Sequence, residues 1–248
     1  MGPLAEFDDI PSILQKLERK EDRFPLAAVC AAISWRDEIV PDLLRILEHT
    51  ADNLEAVSSD HGYFTPLYAM FLLAQFREPR AYPILIRLFS TPGEAVMDLA
   101  GDVVTEGLCS ILASVAFGDM SGLASMAENP EVNEYVRSAA LKAMVGLVVI
   151  GERTREEVMA YFASLFRGRL ERQPEYIWTS LVSRCLSLYP EEVSNDIRQA
   201  YADELVESFV VWGDVERLAQ MRIGATVLQN NKSIGARNNS ASRFARAF

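Results

Sequence analysis

The sequence predicts an all-α protein, an α-solenoid of about five HEAT-like two-helix repeats wound into a right-handed superhelix. Three observations carry this. The phrase Trp35-Arg36-Asp37-Glu38-Ile39-Val40-Pro41-Asp42-Leu43-Leu44-Arg45-Ile46-Leu47 returns as Phe76-Arg77-Glu78-Pro79-Arg80-Ala81-Tyr82-Pro83-Ile84-Leu85-Ile86-Arg87-Leu88-Phe89. Self-similarity at about forty residues marks a repeat array. Seven of the eleven prolines (Pro11, Pro25, Pro41, Pro66, Pro83, Pro174 and Pro190) stand where an apolar run begins. There a missing N–H costs nothing and a fixed φ helps. Alternating strand patterns and Asn-Gly or Asp-Gly hairpin turns are absent.

Taken in order, residues 8–20 form an entry helix with Ile10, Ile13, Leu14 and Leu17 on one stripe. Residues 25–35 pair with 39–57, and 63–76 with 80–90. A long run over 96–117 precedes a short one near 120–128. Residues 132–150 pair with 153–167, 174–188 with 190–209, and a last helix covers 212–221. The junctions fall at Arg36, Arg77, Gly118, Gly151 and Tyr189. Val136-Arg137-x-Ala139-Ala140-x-x-Ala143 has the spacing of a HEAT-like first helix, and its small residues let neighbours approach closely. Units of this size cannot bury an apolar face alone, so stacking supplies the core. Residues 1–223 are therefore expected to make one solenoid domain.

The chain carries 35 acidic against 24 basic residues, a net charge of −11. That argues against nucleic acid as a partner of the body, since phosphate binders need a basic face. The segment 224–248 differs: it holds Lys232, Arg237, Arg243 and Arg246 and no acid. Removing its four cations from the balance leaves −15 on the body. It reads as a basic, disordered C-terminal tail; the sharper alternative is a tail that docks on an acidic groove. Cys30, Cys109 and Cys185 are odd in number and far apart, which fits small buried hydrophobes and neither a disulfide framework nor a zinc site. The N-terminus has no leader pattern, and the longest apolar stretch, 139–150, is too short to span a bilayer. A cytoplasmic protein without a membrane partner is expected.

No phosphate loop, Gly-x-Ser-x-Gly elbow or His-Glu-x-x-His pair occurs, and the two histidines, His49 and His61, disfavour a histidine metal site or triad. No metal and no cofactor is expected. The cluster with most chemical content is Asp98, Asp102 and Glu106, spaced i, i+4 and i+8, with Thr105 beside them. On a continuous helix these stack three carboxylates on one face. Like charges so placed call for cations, and Arg77, Arg80 and Arg87 are the candidates. The plainest reading is an ion-pair ladder between repeats. The sharper one is a recognition groove lined by Arg77, Arg80, Asp98, Asp102, Thr105 and Glu106, and the remaining one is acid–base or divalent-cation chemistry. A helix break at Gly101 would weaken the stripe. Arg137 is expected to bond an acid or loop carbonyl of a neighbouring repeat. Tyr63, Phe64, Tyr68, Phe71, Phe76, Trp178 and Trp212 are expected to pack.

Phe76-Arg77-Glu78-Pro79-Arg80-Ala81-Tyr82-Pro83, then Gly101-Asp102-x-x-Thr105-Glu106 with Ile111-Leu112-Ala113-Ser114-Val115, then Asn133-Glu134-Tyr135-x-Arg137, resembles a bacterial family classed only as a domain of unknown function. The resemblance covers roughly residues 7–220 and implies HEAT-type, phycocyanobilin-lyase-like helical repeats. Some members carry a cysteine-rich, zinc-binding C-terminal motif, which this chain lacks. No activity comes with the resemblance. A non-catalytic scaffold that binds another protein through a concave groove is the expected function. The alternative is a glycosylase-like or lyase-like enzyme, or a ligand-binding protein, on the same scaffold.

Overall fold

The structure, a computed structural model, describes residues 7–207. Helices account for its regular structure and no strand occurs among the described residues; one isolated antiparallel bridge joins Arg19 and Tyr63. The chain divides into two compact units that meet in sequence at Ala116 and Phe117. The helix expected at 212–221, with Trp212, and the tail 224–248 lie outside the described residues.

The first unit runs α1 (Ile10–Leu17), α2 (Leu26–Ser34), α3 (Arg36–Asp52), α4 (Leu54–Ser58), α5 (Thr65–Phe76), α6 (Ala81–Phe89), α7 (Ala95–Ala100), α8 (Asp102–Glu106) and α9 (Leu108–Ala116). Asp9 caps α1 by accepting the Ser12 N–H at 2.9 Å. Helix α5 is apolar nearly all round, with Leu67, Tyr68, Met70, Leu72, Leu73 and Phe76 all buried. A helix with no polar face must be covered on all sides, and α3, α9 and α1 pack against it. Helix α4 packs on α7.

The second unit runs α10 (Ser121–Glu128), α11 (Glu134–Ile150), α12 (Arg155–Ser164), a widened π-type turn (Leu165–Arg169), α13 (Tyr176–Ser187), a 3-10 turn (Glu191–Val193) and α14 (Ser194–Ala202). Helix α11 packs on α10 and α13. Its start is capped by the Asn133 side chain, and that of α12 by a Thr154–Glu157 capping box. Arg137 is 1 % exposed. Its Nε donates to the Ala127 carbonyl (3.0 Å), Nη1 to Glu175 (2.8 Å), and Nη2 lies 2.7 Å from Glu171. The expected acid is met twice over, and the carbonyl partner belongs to the last turn of α10, not to a loop. Trp178 is buried and donates to the Glu171 carbonyl at 3.1 Å. Cys109 and Cys185 are buried and Cys30 is half-buried, all three as free thiols.

Four of the expected junctions have a physical signature. Arg77 (φ 54), Gly118 (φ 78), Gly151 (φ 80) and Tyr189 (φ 59) all adopt the left-handed conformation. After α5, the Arg77 N–H returns to Ala74 and the Glu78 N–H to Leu73. After α11, Gly151 and Glu152 do the same to Val148 and Leu147. Left-handed caps of this kind satisfy the last carbonyls of a helix.

Where the sequence led to one helix over 96–117, the structure has three. Gly101 has φ 47 and ψ −128, a conformation only glycine adopts without strain, and Gly107 ends α8. Val96, Leu99, Val103, Val104 and Leu108 keep an apolar rhythm across both breaks, so periodicity conceals them. The carboxylate stripe on a continuous helix is thereby overturned: Asp98 lies in α7, Asp102 opens α8 and Glu106 closes it. The run expected over 39–57 begins earlier, at Arg36, and breaks at Asn53, so Pro41 lies inside α3. There it removes one hydrogen bond to the first-turn carbonyl of Asp37.

Candidate functional site

Within the first unit the chain encloses an open cavity of roughly 330 Å³. One part of its lining is the paired loop segments after α1 and α4. The Lys20 N–H donates to the Gly62 carbonyl (3.1 Å) and the Phe64 N–H to the Glu18 carbonyl (2.8 Å), on either side of the Arg19–Tyr63 bridge. Arg19 ion-pairs with Asp60 at 2.7 Å, and Asp60 also accepts the Gly62 N–H at 3.1 Å. The Arg19 hydrogen bond holds the Asp60 carboxyl below its ordinary value. These contacts fix Lys20, His61 and Tyr63 on the cavity. The Lys20 ammonium lies 5.7 Å from the centre of the Phe64 ring, within cation–π range.

The other part is the α7–α8 corner. Asp98, Leu99, Ala100, Gly101 and Asp102 line the cavity there. The turn at Gly101 brings Asp98 and Asp102 to one opening, which an unbroken helix would do only along a flat face. Val57, Ser58, Phe64 and Leu67 complete the lining.

Of the six groove residues expected from sequence, Asp98 and Asp102 meet here; Thr105, Glu106, Arg77 and Arg80 are not on the cavity. Thr105 folds its hydroxyl back onto the Asp102 carbonyl at 3.1 Å. Arg80 is held by Glu78 through Nε (2.7 Å), Nη2 (3.0 Å) and its own backbone N–H (3.1 Å). That arginine keeps the Glu78 carboxyl below its ordinary value. Arg87 pairs with Asp52. Asp98, Asp102 and Glu106 form no ion pair among the described residues, so the ladder through Arg80 and Arg87 is absent there.

Sequence reading missed Lys20 and His61 as members of the site and placed Tyr63 and Phe64 in the core, whereas both are half-buried at the cavity. About forty positions separate Lys20 from His61. The signal that joins them, a short loop-to-loop pairing, has no periodic trace in the sequence. Among the described residues no group of three or more His, Cys, Asp or Glu side chains is arranged to hold a metal ion. No described helix is long and apolar enough to cross a membrane.

A family model described as "Protein of unknown function (DUF1186)" matches residues 8–235. The chain is also similar to an "Uncharacterized protein" of Chlamydia trachomatis and to another of Chlamydia muridarum. Each is 41% identical over 211 residues, which is 85% of this chain and 84% of the relative. No solved structure matches the chain.

Proposed function

The chain belongs to the family described as protein of unknown function (DUF1186), and we propose that it is a non-catalytic recognition module. In this reading its helix pairs are HEAT-like units of an α-solenoid in the cytoplasm, and it holds a partner protein at the cavity of the first unit. The observation that carries the reading is the pair Asp98 and Asp102, open on a cavity and without ion pairs among the described residues. Carboxylates that brace a fold are usually met by the fold's own cations, as Glu78, Asp52 and Asp60 are here. Carboxylates left open beside the half-buried Tyr63 and Phe64 suit a partner with basic side chains.

Support for stacked repeats comes from arginines at helix starts. Arg36 reaches the carbonyl of Phe76, Arg153 that of Gly118, and Arg155 those of Leu188 and Tyr189, each 33 to 40 positions away. An array in which each unit closes its neighbour's helix end needs contacts of that kind. The body's acidity suits a protein partner better than nucleic acid.

In-cell crosslinking followed by mass spectrometry tests the reading. One dominant protein should crosslink to Lys20, with the signal lost in an Asp98→Lys, Asp102→Lys variant of unchanged unfolding midpoint. Crosslinks to a partner that survive this double charge reversal would overturn the site assignment.

A further inference from the structure

We infer that the cavity of the first unit is also a small-molecule site, and that its ligand is an amino-acid-like zwitterion with a cationic group at one end and a carboxylate at the other. This goes beyond the protein partner proposed above, because it concerns the interior of the cavity and needs no macromolecule.

The lining carries both signs of charge. Lys20 comes from the paired loops, which also bring Asp60, already paired with Arg19, while Asp98 and Asp102 come from the α7–α8 corner. No ion pair joins Lys20 to either aspartate among the described residues, and the Lys20 ammonium lies over the Phe64 ring instead. Opposite charges that line one cavity without touching leave their attraction to be completed by what enters between them. A molecule bearing only negative charge would meet Asp98 and Asp102, and one bearing only positive charge would meet Lys20. A zwitterion satisfies both ends.

Size narrows the class. The volume of roughly 330 Å³ lies at the small end of ligand sites, which run from about 300 to 1,000 Å³. It suits an amino acid with a long side chain and is tight for a nucleotide. The apolar part of the lining, from Val57, Leu67 and Leu99, gives a methylene stem a surface to lie on. An aspartate pair recognises a guanidinium or ammonium, so L-arginine and L-lysine are the probes that fit best.

Nitrogen-15 NMR titration of the full chain with four probes tests the inference: L-arginine, L-lysine, putrescine as a cation alone and succinate as an anion alone. Saturable shifts are expected with L-arginine or L-lysine at the amides of Lys20, His61, Gly101 and Asp102. Putrescine and succinate should bind at least tenfold more weakly. Asp102→Asn and Lys20→Gln should each weaken the zwitterion at least tenfold while leaving the unfolding midpoint in place. The inference is overturned if no probe shifts these amides, if putrescine binds as well as L-arginine, or if both variants bind like the parent. The protein-partner reading is judged separately by its crosslinks, so either can fail alone.

Discussion

Arg36 donates a hydrogen bond of 2.9 Å to the carbonyl oxygen of Phe76, and its guanidinium lies 5.5 Å from the centre of the same ring. Both residues belong to the repeated phrase, Arg36 to its first copy and Phe76 to its second. The repeated phrase is therefore a contact as well as a pattern: an arginine in its first copy meets the end of α5, whose last residue, Phe76, opens the second copy.

Arg36→Ala removes a charged hydrogen bond and a ring contact at an exposed position. The expected loss is about 1–2 kcal/mol, read as a lower midpoint in urea. Arg36→Lys should not recover it fully, since an ammonium does not match the planar guanidinium on both carbonyl and ring.

Arg137 makes the opposite kind of prediction, a large one. Arg137→Met leaves Glu171 and Glu175 facing each other without their shared cation. Burial, then the neighbouring Glu171, already hold the Glu175 carboxyl above its ordinary value. Breaking a buried pair costs about 3–5 kcal/mol, so this variant should unfold far earlier than Arg36→Ala in the same titration.

Gly101 tests the α7–α8 corner. A Cβ there would meet nothing nearer than the Met97 carbonyl at 4.0 Å, so Gly101→Ala acts through backbone strain alone. A loss of about 1–3 kcal/mol is expected. An unbroken helix would instead be stabilised by alanine, and thermal unfolding separates the two.

The acid limb of stability follows from Glu78 and Glu192. Hydrogen bonds from Arg80 and Arg155, respectively, hold these carboxyls below their ordinary value. The unfolded chain then binds more protons than the folded one, so each pair's contribution is present above the ordinary glutamate pKa of about 4.3 and fades as pH falls below it. Glu192→Gln should lower stability at pH 7 and flatten its decline at acid pH, measured as urea midpoints across a pH series.

The helical class and the junctions were legible because both leave local traces. Apolar spacing and the marker prolines other than Pro41, which lies inside α3, fell at or near helix starts, and the ends at Arg77, Gly118, Gly151 and Tyr189 fell where the rhythm lapsed; each is left-handed in the structure. The break at Gly101 was raised as an alternative and hidden by an apolar rhythm that runs through it. Asp98 and Asp102 were singled out for a stripe that does not exist, yet they meet at the cavity because the corner turns them there. Lys20 and His61 were illegible because the Arg19–Tyr63 bridge that unites their loops joins residues 44 positions apart, beyond the reach of any local pattern.

In the proposed function, Asp98 and Asp102 are kept open for recognition. The most direct measurement is quantitative co-purification of the full chain from cells, comparing the parent with the Asp98→Lys, Asp102→Lys variant at matched unfolding midpoints. The dominant partner should be retained by the parent and reduced at least tenfold by the variant. Equal recovery with both proteins would contradict it.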